Sequence, residues 1–285
     1  MSNQPFDTAQ LKAEQRRGWD ESAAGWNRSW EMFERAAQHV SDRLIELARI
    51  KPGQRVLDVA TGNGEPALTV ARRIGPSGHV VATDHSAEML KFARERAAAA
   101  GLRNVEFLEM DAEALDLPEN SFDAILSRWG LMFLPDLAGA LGRMRKLLVP
   151  GGWLAASVWS SASKVPMIGL VEAVRKQFGL LPQRPGMLGP LSLADIPALE
   201  RTLTQAGFSE VASESIPVTF EFASPDEYVR FQQEIRNPAS KLIAEQPAEA
   251  QATIWKAVTD AVRAYAGADG VVRLPNECFC VTARR

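Results

Sequence analysis

The stretch Val56-Leu57-Asp58-Val59-Ala60-Thr61-Gly62-Asn63-Gly64-Glu65-Pro66-Ala67-Leu68 reads as a buried strand, a glycine turn and the first turn of a helix. Residues 56–60 are a short, valine-rich apolar run, the pattern of a parallel strand covered on both faces. Gly62 and Gly64 carry no Cβ, so the backbone can turn sharply and admit a ligand closely. Pro66 suits an opening helical turn, where its missing N–H would be unpaired anyway. The N–H groups of such a turn favour an electronegative ligand group.

Working outward, strands and helices alternate. Lys51-Pro52-Gly53 ends a helical region and leads into the first strand, 55–60. A helix over 65–74 stops at the turn Gly75-Pro76-Ser77-Gly78, and a second strand over 79–83 ends at Asp84. Ser86 is placed to cap a helix that runs to Gly101. Strands follow at Val105–Met110, Phe122–Ser127 and Trp153–Trp159, with Asp136 capping the helix between the last two. This βα repetition with short connections predicts a parallel sheet with right-handed crossovers and helices on both faces.

The flanks differ. Residues 7–50 read as helical throughout, in two or three pieces; Trp19, Trp26, Trp30 and Phe33 share one face if the helix is continuous. That stripe docks the segment on the core, and Trp26 or Trp30 also reaches a ligand at the glycine turn. Residues 160–191, with Pro166, Pro182, Pro185 and Pro190, are part helix (167–178) and part loop. A helix near 194–206, a strand over 210–222 and a closing antiparallel strand over 271–284 complete the chain. Between the last two strands lies a helical excursion, too short for a core of its own, that reads as a lid or a dimer contact. The expected units are thus an N-terminal helical cap (1–50), a main domain (51–222 with 268–285) and the insertion (223–267).

Composition sets the class. The 285 residues hold 46% apolar and 24% charged side chains with a net charge of −3, ordinary for a soluble enzyme and unlike a nucleic-acid binder with a basic face. Cys278 and Cys280 point to one face of a strand and read as core residues of a reducing compartment, not as a disulfide. No window suits a membrane span, and Met1–Pro5 carries no signal pattern, so the expected location is cytoplasmic.

Asp58 lies in the first strand, Asp84 ends the second and Asp111 ends the third. In a doubly wound sheet these ends share the edge where ligands bind. Asp84 lies 20 residues after Gly64, the separation at which a carboxylate accepts from ribose hydroxyls. With Asp111-Ala112-Glu113, Ser127-Arg128-Trp129 and Leu148–Trp153, the set resembles the class I S-adenosylmethionine-dependent methyltransferases, within the small-molecule group related to the ubiquinone and menaquinone methylases. The resemblance spans roughly residues 40–160. It implies a doubly wound, seven-stranded, mostly parallel Rossmann-like α/β sheet with an antiparallel C-terminal strand.

The resemblance also implies roles. Asp58 with Ala60, Thr61, Gly62, Asn63 and Gly64 holds the methionine moiety, and Asp84 the ribose, with His85 and Met89 beside the adenosine. Asp111 takes the adenine amine, flanked by Ala112 and Glu113. Ser127, Arg128 and Trp129 lie by the sulfonium and the acceptor, and Trp26 closes over the cofactor. Ala60 replaces the first glycine of the family's turn, which is tolerable if its φ is negative.

The implied reaction is methyl transfer from S-adenosylmethionine to a hydrophobic or aromatic small molecule, at oxygen or carbon, leaving S-adenosylhomocysteine. The acceptor wall is Trp129, Met132, Phe133 and Trp159, with Tyr228 and Phe231 from the insertion. Arg128, Trp129 and His85 are the catalytic candidates, with no assignment among them, and no metal is expected. Ser127-Arg128-Trp129-Gly130 carries neither the Asn-Pro-Pro-aromatic motif of amino methylation on nucleic-acid bases nor a magnesium-ligating aspartate. The rival readings are a nicotinamide-dependent oxidoreductase, because Gly62-x-Gly64-x-x-Ala67 fits the dinucleotide fingerprint, and a non-catalytic S-adenosylmethionine-binding protein.

Overall fold

The computed structural model describes residues 8–180, 188–235 and 238–285; Met1–Pro5, Pro182 and Pro185 lie outside the described residues. Its centre is a seven-stranded sheet: β1 (Arg55–Val59), β2 (His79–Asp84), β3 (Val105–Glu109), β4 (Phe122–Arg128), β5 (Leu148–Trp159), β6 (Ser209–Phe222) and β7 (Val272–Arg284). The spatial order is β3-β2-β1-β4-β5-β7-β6. Strands β1 to β5 are parallel, whereas β7 runs antiparallel between β5 and β6. The order reverses at β1/β4, which makes the carboxyl ends of those strands the switch point where α/β sheets bind ligands.

Burial follows the period. Val56, Leu57, Asp58 and Val59 are all buried, as a central parallel strand covered on both faces requires. Helix α3 (Ala67–Ile74) packs on the sheet, as does α4 (Ala87–Ala99), whose Ser86 cap accepts from Met89 N at 3.2 Å. Asp136 caps α5 (Leu137–Leu147) through Gly139 N, and Asp195 caps α7 (Ile196–Gln205) through Ala198 N. Cys278 and Cys280 are free thiols buried in β7.

The N-terminal region is two helices, α1 (Thr8–Arg28) and α2 (Trp30–Leu47), parted at Ser29. The break splits the tryptophan stripe. Trp19, Trp26 and Phe33 remain linked by ring contacts of 6.4 and 5.2 Å, while Trp30 turns to the guanidinium of Arg96. Helix α2 packs on β4, β5, β6 and β7, and α1 reaches α4 and the later helix α8 (Pro225–Glu234). With α9 (Pro238–Ala244) and α10 (Ala248–Val262), α8 forms the excursion between β6 and β7, which leans on α6 (Pro166–Gln177). Among the described residues no helix is long and apolar enough to cross a membrane.

Candidate active site at the carboxyl edge of the sheet

Asp58, on the buried face of β1, is 0% exposed and turns toward the start of α3, where its Oδ2 accepts from Ala67 N at 3.1 Å. Asp84, ending β2, takes Gly62 N on Oδ2 at 2.8 Å and Ser86 N on Oδ1 at 2.9 Å. Glu65, inside the turn, accepts from Thr69 N and Thr69 Oγ1 at 3.2 and 2.7 Å. Gly64 N donates to Thr61 O at 3.0 Å. The turn's donors, expected from sequence to face an electronegative ligand, are therefore largely taken by the chain's own oxygens. What remains at this helix N-terminus is carboxylate.

Burial raises all three acids. Desolvation pushes Asp58 up to about 7, against the lowering pull of the nearby Thr61 hydroxyl and Arg128. Desolvation likewise raises Glu65 and Asp84, the latter opposed by the charge of His85 and by the N–H donors of Ser86 and Gly62. Several buried polar atoms here lack a hydrogen-bond partner: Asp58 Oδ1, Thr61 Oγ1, Asn63 Oδ1, Ser127 Oγ and the indole nitrogens of Trp26 and Trp129. Buried polar atoms are seldom left unpaired, so a cluster of them marks a place where a polar ligand completes the bonding.

Two backbone outliers sit here. Ala60 has φ +59, not the negative value expected, and Trp129 has φ +57. The Ala60 methyl is accommodated because Gly130 lies against it: a Cβ built on Gly130 would stand 2.6 Å from Ala60 Cβ and 2.8 Å from Ser127 Oγ. Strained φ at a non-glycine residue persists only where the surroundings over-determine it. Trp129 is so held by its N–H on Ser157 O at 3.0 Å and by stacking on Trp159, with ring centroids 4.3 Å apart.

The Asp111 end of this edge is covered. Lys12 Nζ lies 2.8 Å from Asp111 Oδ2 and also pairs with Glu113, while Asp111 Oδ1 accepts from Glu113 N. Desolvation alone would lower the Lys12 ammonium, but the two carboxylates outweigh it and raise it. Along the same helix Gln15 donates to Phe133 O, Arg16 pairs with Glu109, and Asp20 Oδ1 accepts from Ser86 Oγ at 2.6 Å. Helix α1 thus straps the edge formed by the ends of β2, β3 and β4. Met89 and Ala112 are buried beneath it, and His85 lies between the fields of Asp84 and Asp111. A cleft of about 420 Å³ beside Arg49, Trp153 and Thr282 is at the other end of β5 and touches none of these residues.

Arg128 turns away from the edge. Its guanidinium forks onto Glu34 of α2 and reaches Ser41 Oγ at 2.9 Å. Of the aromatic residues expected to wall the acceptor, Trp129 stacks on Trp159, and with Phe33 and Phe220, which were not expected there, they form one chain of ring contacts joined through Trp26 to Phe231, while Phe133 meets Trp19. Tyr228 is fully buried with its hydroxyl on Met167 O at 2.9 Å, behind that wall. Sequence reasoning missed Lys12, Asp20, Glu34 and Glu65. Only Glu65, inside the turn, carried a local signal.

The family described as "Methyltransferase domain" matches residues 56–152. A demethylmenaquinone methyltransferase of Listeria monocytogenes is 41% identical over 111 residues, 39% of this chain and 47% of the relative. A ubiquinone/menaquinone biosynthesis C-methyltransferase of Teredinibacter turnerae is 35% identical over 179 residues, 62% of this chain and 65% of the relative. The chain thus spans about half to two thirds of the length of these curated relatives. A methyltransferase-like crystal structure from Bacillus halodurans superposes with a TM-score of 0.55 at 23% identity, covering 86% of this chain and 97% of that one, a likeness of fold.

Proposed function

We propose that this chain, whose residues 56–152 match the family described as "Methyltransferase domain", is a class I enzyme that transfers a methyl group from S-adenosylmethionine to a hydrophobic, quinone-type aromatic small molecule. The observation that carries the reading is the acidic lining of the α3 N-terminus. Asp58, Asp84 and Glu65 have taken donors that a dinucleotide's diphosphate would need, and they repel an anion there. A cationic, donor-rich nucleoside suits them instead. The orphaned oxygens of Asp58, Thr61 and Ser127 fit its amino-acid end, and Asp84 keeps lone pairs for ribose hydroxyls. Asp111 and Glu113 take the adenine amine when Lys12 withdraws.

When bound, the cofactor supplies an electrophilic methyl group on a sulfonium. The chain's residues do the rest by position. Trp129, fixed by its strained backbone and by Trp159, lines the acceptor side with Met132 and Phe133, and this apolar wall excludes water. Good alignment of two reactants lowers a barrier by roughly 7–11 kcal/mol. Transfer to carbon is favoured over oxygen by the name of the Teredinibacter turnerae relative.

Calorimetry with S-adenosylmethionine, S-adenosylhomocysteine and a nicotinamide dinucleotide, followed by turnover with demethylated quinols, tests the reading. Binding of the first two and release of S-adenosylhomocysteine with a quinol are expected. Binding of the dinucleotide alone overturns it, and cofactor binding without turnover across the panel reduces the chain to a binding protein.

A further inference from the structure

Arg128 is a cation at the end of β4 with a side chain only 6% exposed, and its carboxylate partner, Glu34, comes from a different layer with 10% exposure. The contact is bidentate, Nη1 to Oε2 at 2.7 Å and Nη2 to Oε1, the geometry in which a guanidinium is held most firmly. Asp58 and Glu65 both feel the charge of the same guanidinium, yet neither is bonded to it. Glu65 has its own donors and Arg72 Nη1 at 3.7 Å. Asp58 has no cation within salt-bridge distance among the described residues, and its Oδ1 has no partner at all. A loose arginine beside a desolvated carboxylate would pair with it, because the attraction is several-fold stronger than in water. Glu34 holds the guanidinium instead.

We infer that Glu34 determines ligand specificity: by clamping Arg128 it keeps the protein's own cation off Asp58 and leaves the site negative enough to prefer the sulfonium cofactor over its uncharged thioether product. The inference rests on the reading of S-adenosylmethionine as the ligand. The two ligands differ by one methyl and one positive charge, so the ratio of their affinities reports the charge of the site. A unit charge acting over about 10 Å through an effective dielectric near 20 changes an affinity by roughly tenfold. Glu34 touches neither ligand in this account and acts through Arg128.

The experiment titrates S-adenosylmethionine and S-adenosylhomocysteine into the wild type, Glu34→Gln, Arg128→Met and the double variant. Preference for the sulfonium should fall about tenfold in Glu34→Gln, rise in Arg128→Met and keep the Arg128→Met ratio in the double variant, because Glu34 acts through Arg128; a double variant that returns to the wild-type ratio shows Glu34 acting by its own charge and overturns the inference. A merely structural role would weaken both ligands alike, and an unchanged ratio in the single variants overturns the inference. If Glu34→Gln fails to fold around its uncompensated arginine, Arg128→Met decides alone: no rise in the preference sinks the proposal. A wild type that binds neither ligand removes the methyl-donor reading itself, an outcome distinct from both.

Discussion

At the scale of single residues, the site shows a substitution and its compensation side by side. Ala60 occupies a left-handed conformation that costs an L-residue about 1–2 kcal/mol, and its methyl rests where Gly130 has no side chain. Replacing Ala60 with Gly should therefore stabilise the protein by up to about 1 kcal/mol, part of the gain being lost to the freer unfolded chain. A melting temperature higher by up to roughly 2 °C is expected, and a lower one would mean that the methyl packing against Gly130 outweighs the strain. The sequence displayed the alanine but not its φ. That angle is set by a contact across 70 residues, and no local pattern carries it. Asp58 and Asp84, by contrast, were legible because each sits on a strand whose apolar run is plain, and Asp111 because it follows β3 by two residues. Arg128 was legible as a residue but not in its pairing: Glu34 lies 94 positions away on a helix face chosen by packing.

At the scale of elements, strands and caps were readable almost to the residue, except that β5 begins at Leu148, five residues before the expected Trp153; the covering of the site was not readable. The insertion was expected as a lid or a dimer contact; the helix bonded across the carboxyl edge is α1. The contacts responsible are polar side chains on an exposed-looking helix face, which hydrophobic periodicity does not register. Because Lys12 and Asp111 are each about a third exposed, their pair adds little to stability, and Lys12→Ala should fold normally. It should speed association of S-adenosylmethionine, measured by stopped-flow quenching of tryptophan fluorescence, since the adenine site no longer has to lose its ammonium. An unchanged rate would place the entry barrier elsewhere. The joint between α1 and α8 gives a second test. A Cβ on Gly25 would fall 2.2 Å from the carbonyl oxygen of Glu234, so Gly25→Ala should destabilise the protein by about 1–3 kcal/mol in denaturant titration. If α1 were not seated on α8, the same change would stabilise an exposed helix by about 1 kcal/mol, so the sign alone decides.

At the scale of the whole molecule, three acids buried together at one sheet edge make the stability of the ligand-free protein depend on pH in an unusual direction. Most carboxylates in folded proteins are held below their ordinary values, and stability is lost on acidification. Asp58 is pushed the other way by burial, up to about 7, and Glu65 and Asp84 are raised with it. Between about pH 4 and pH 7 the folded chain keeps a proton on Asp58 that the unfolded chain has released. Its contribution is complete below pH 4 and is lost as pH rises through 7. Asp58→Asn, which mimics the protonated form at every pH, should therefore gain on the wild type steadily from about pH 4 to pH 7 and level off above it, by an amount on the order of a few kcal/mol in unfolding free energy. Paired denaturation curves at several pH values measure that difference, and other titrating groups cancel in it. A difference that stays flat with pH would show that Asp58 is ionised throughout and that its free oxygen is satisfied within the protein. Added S-adenosylmethionine should flatten the wild-type profile, because a bound cation favours the carboxylate and draws its pKa down. The same ligand should leave Asp58→Asn with the pH profile it already had, and this contrast ties the buried charge to the ligand rather than to the fold.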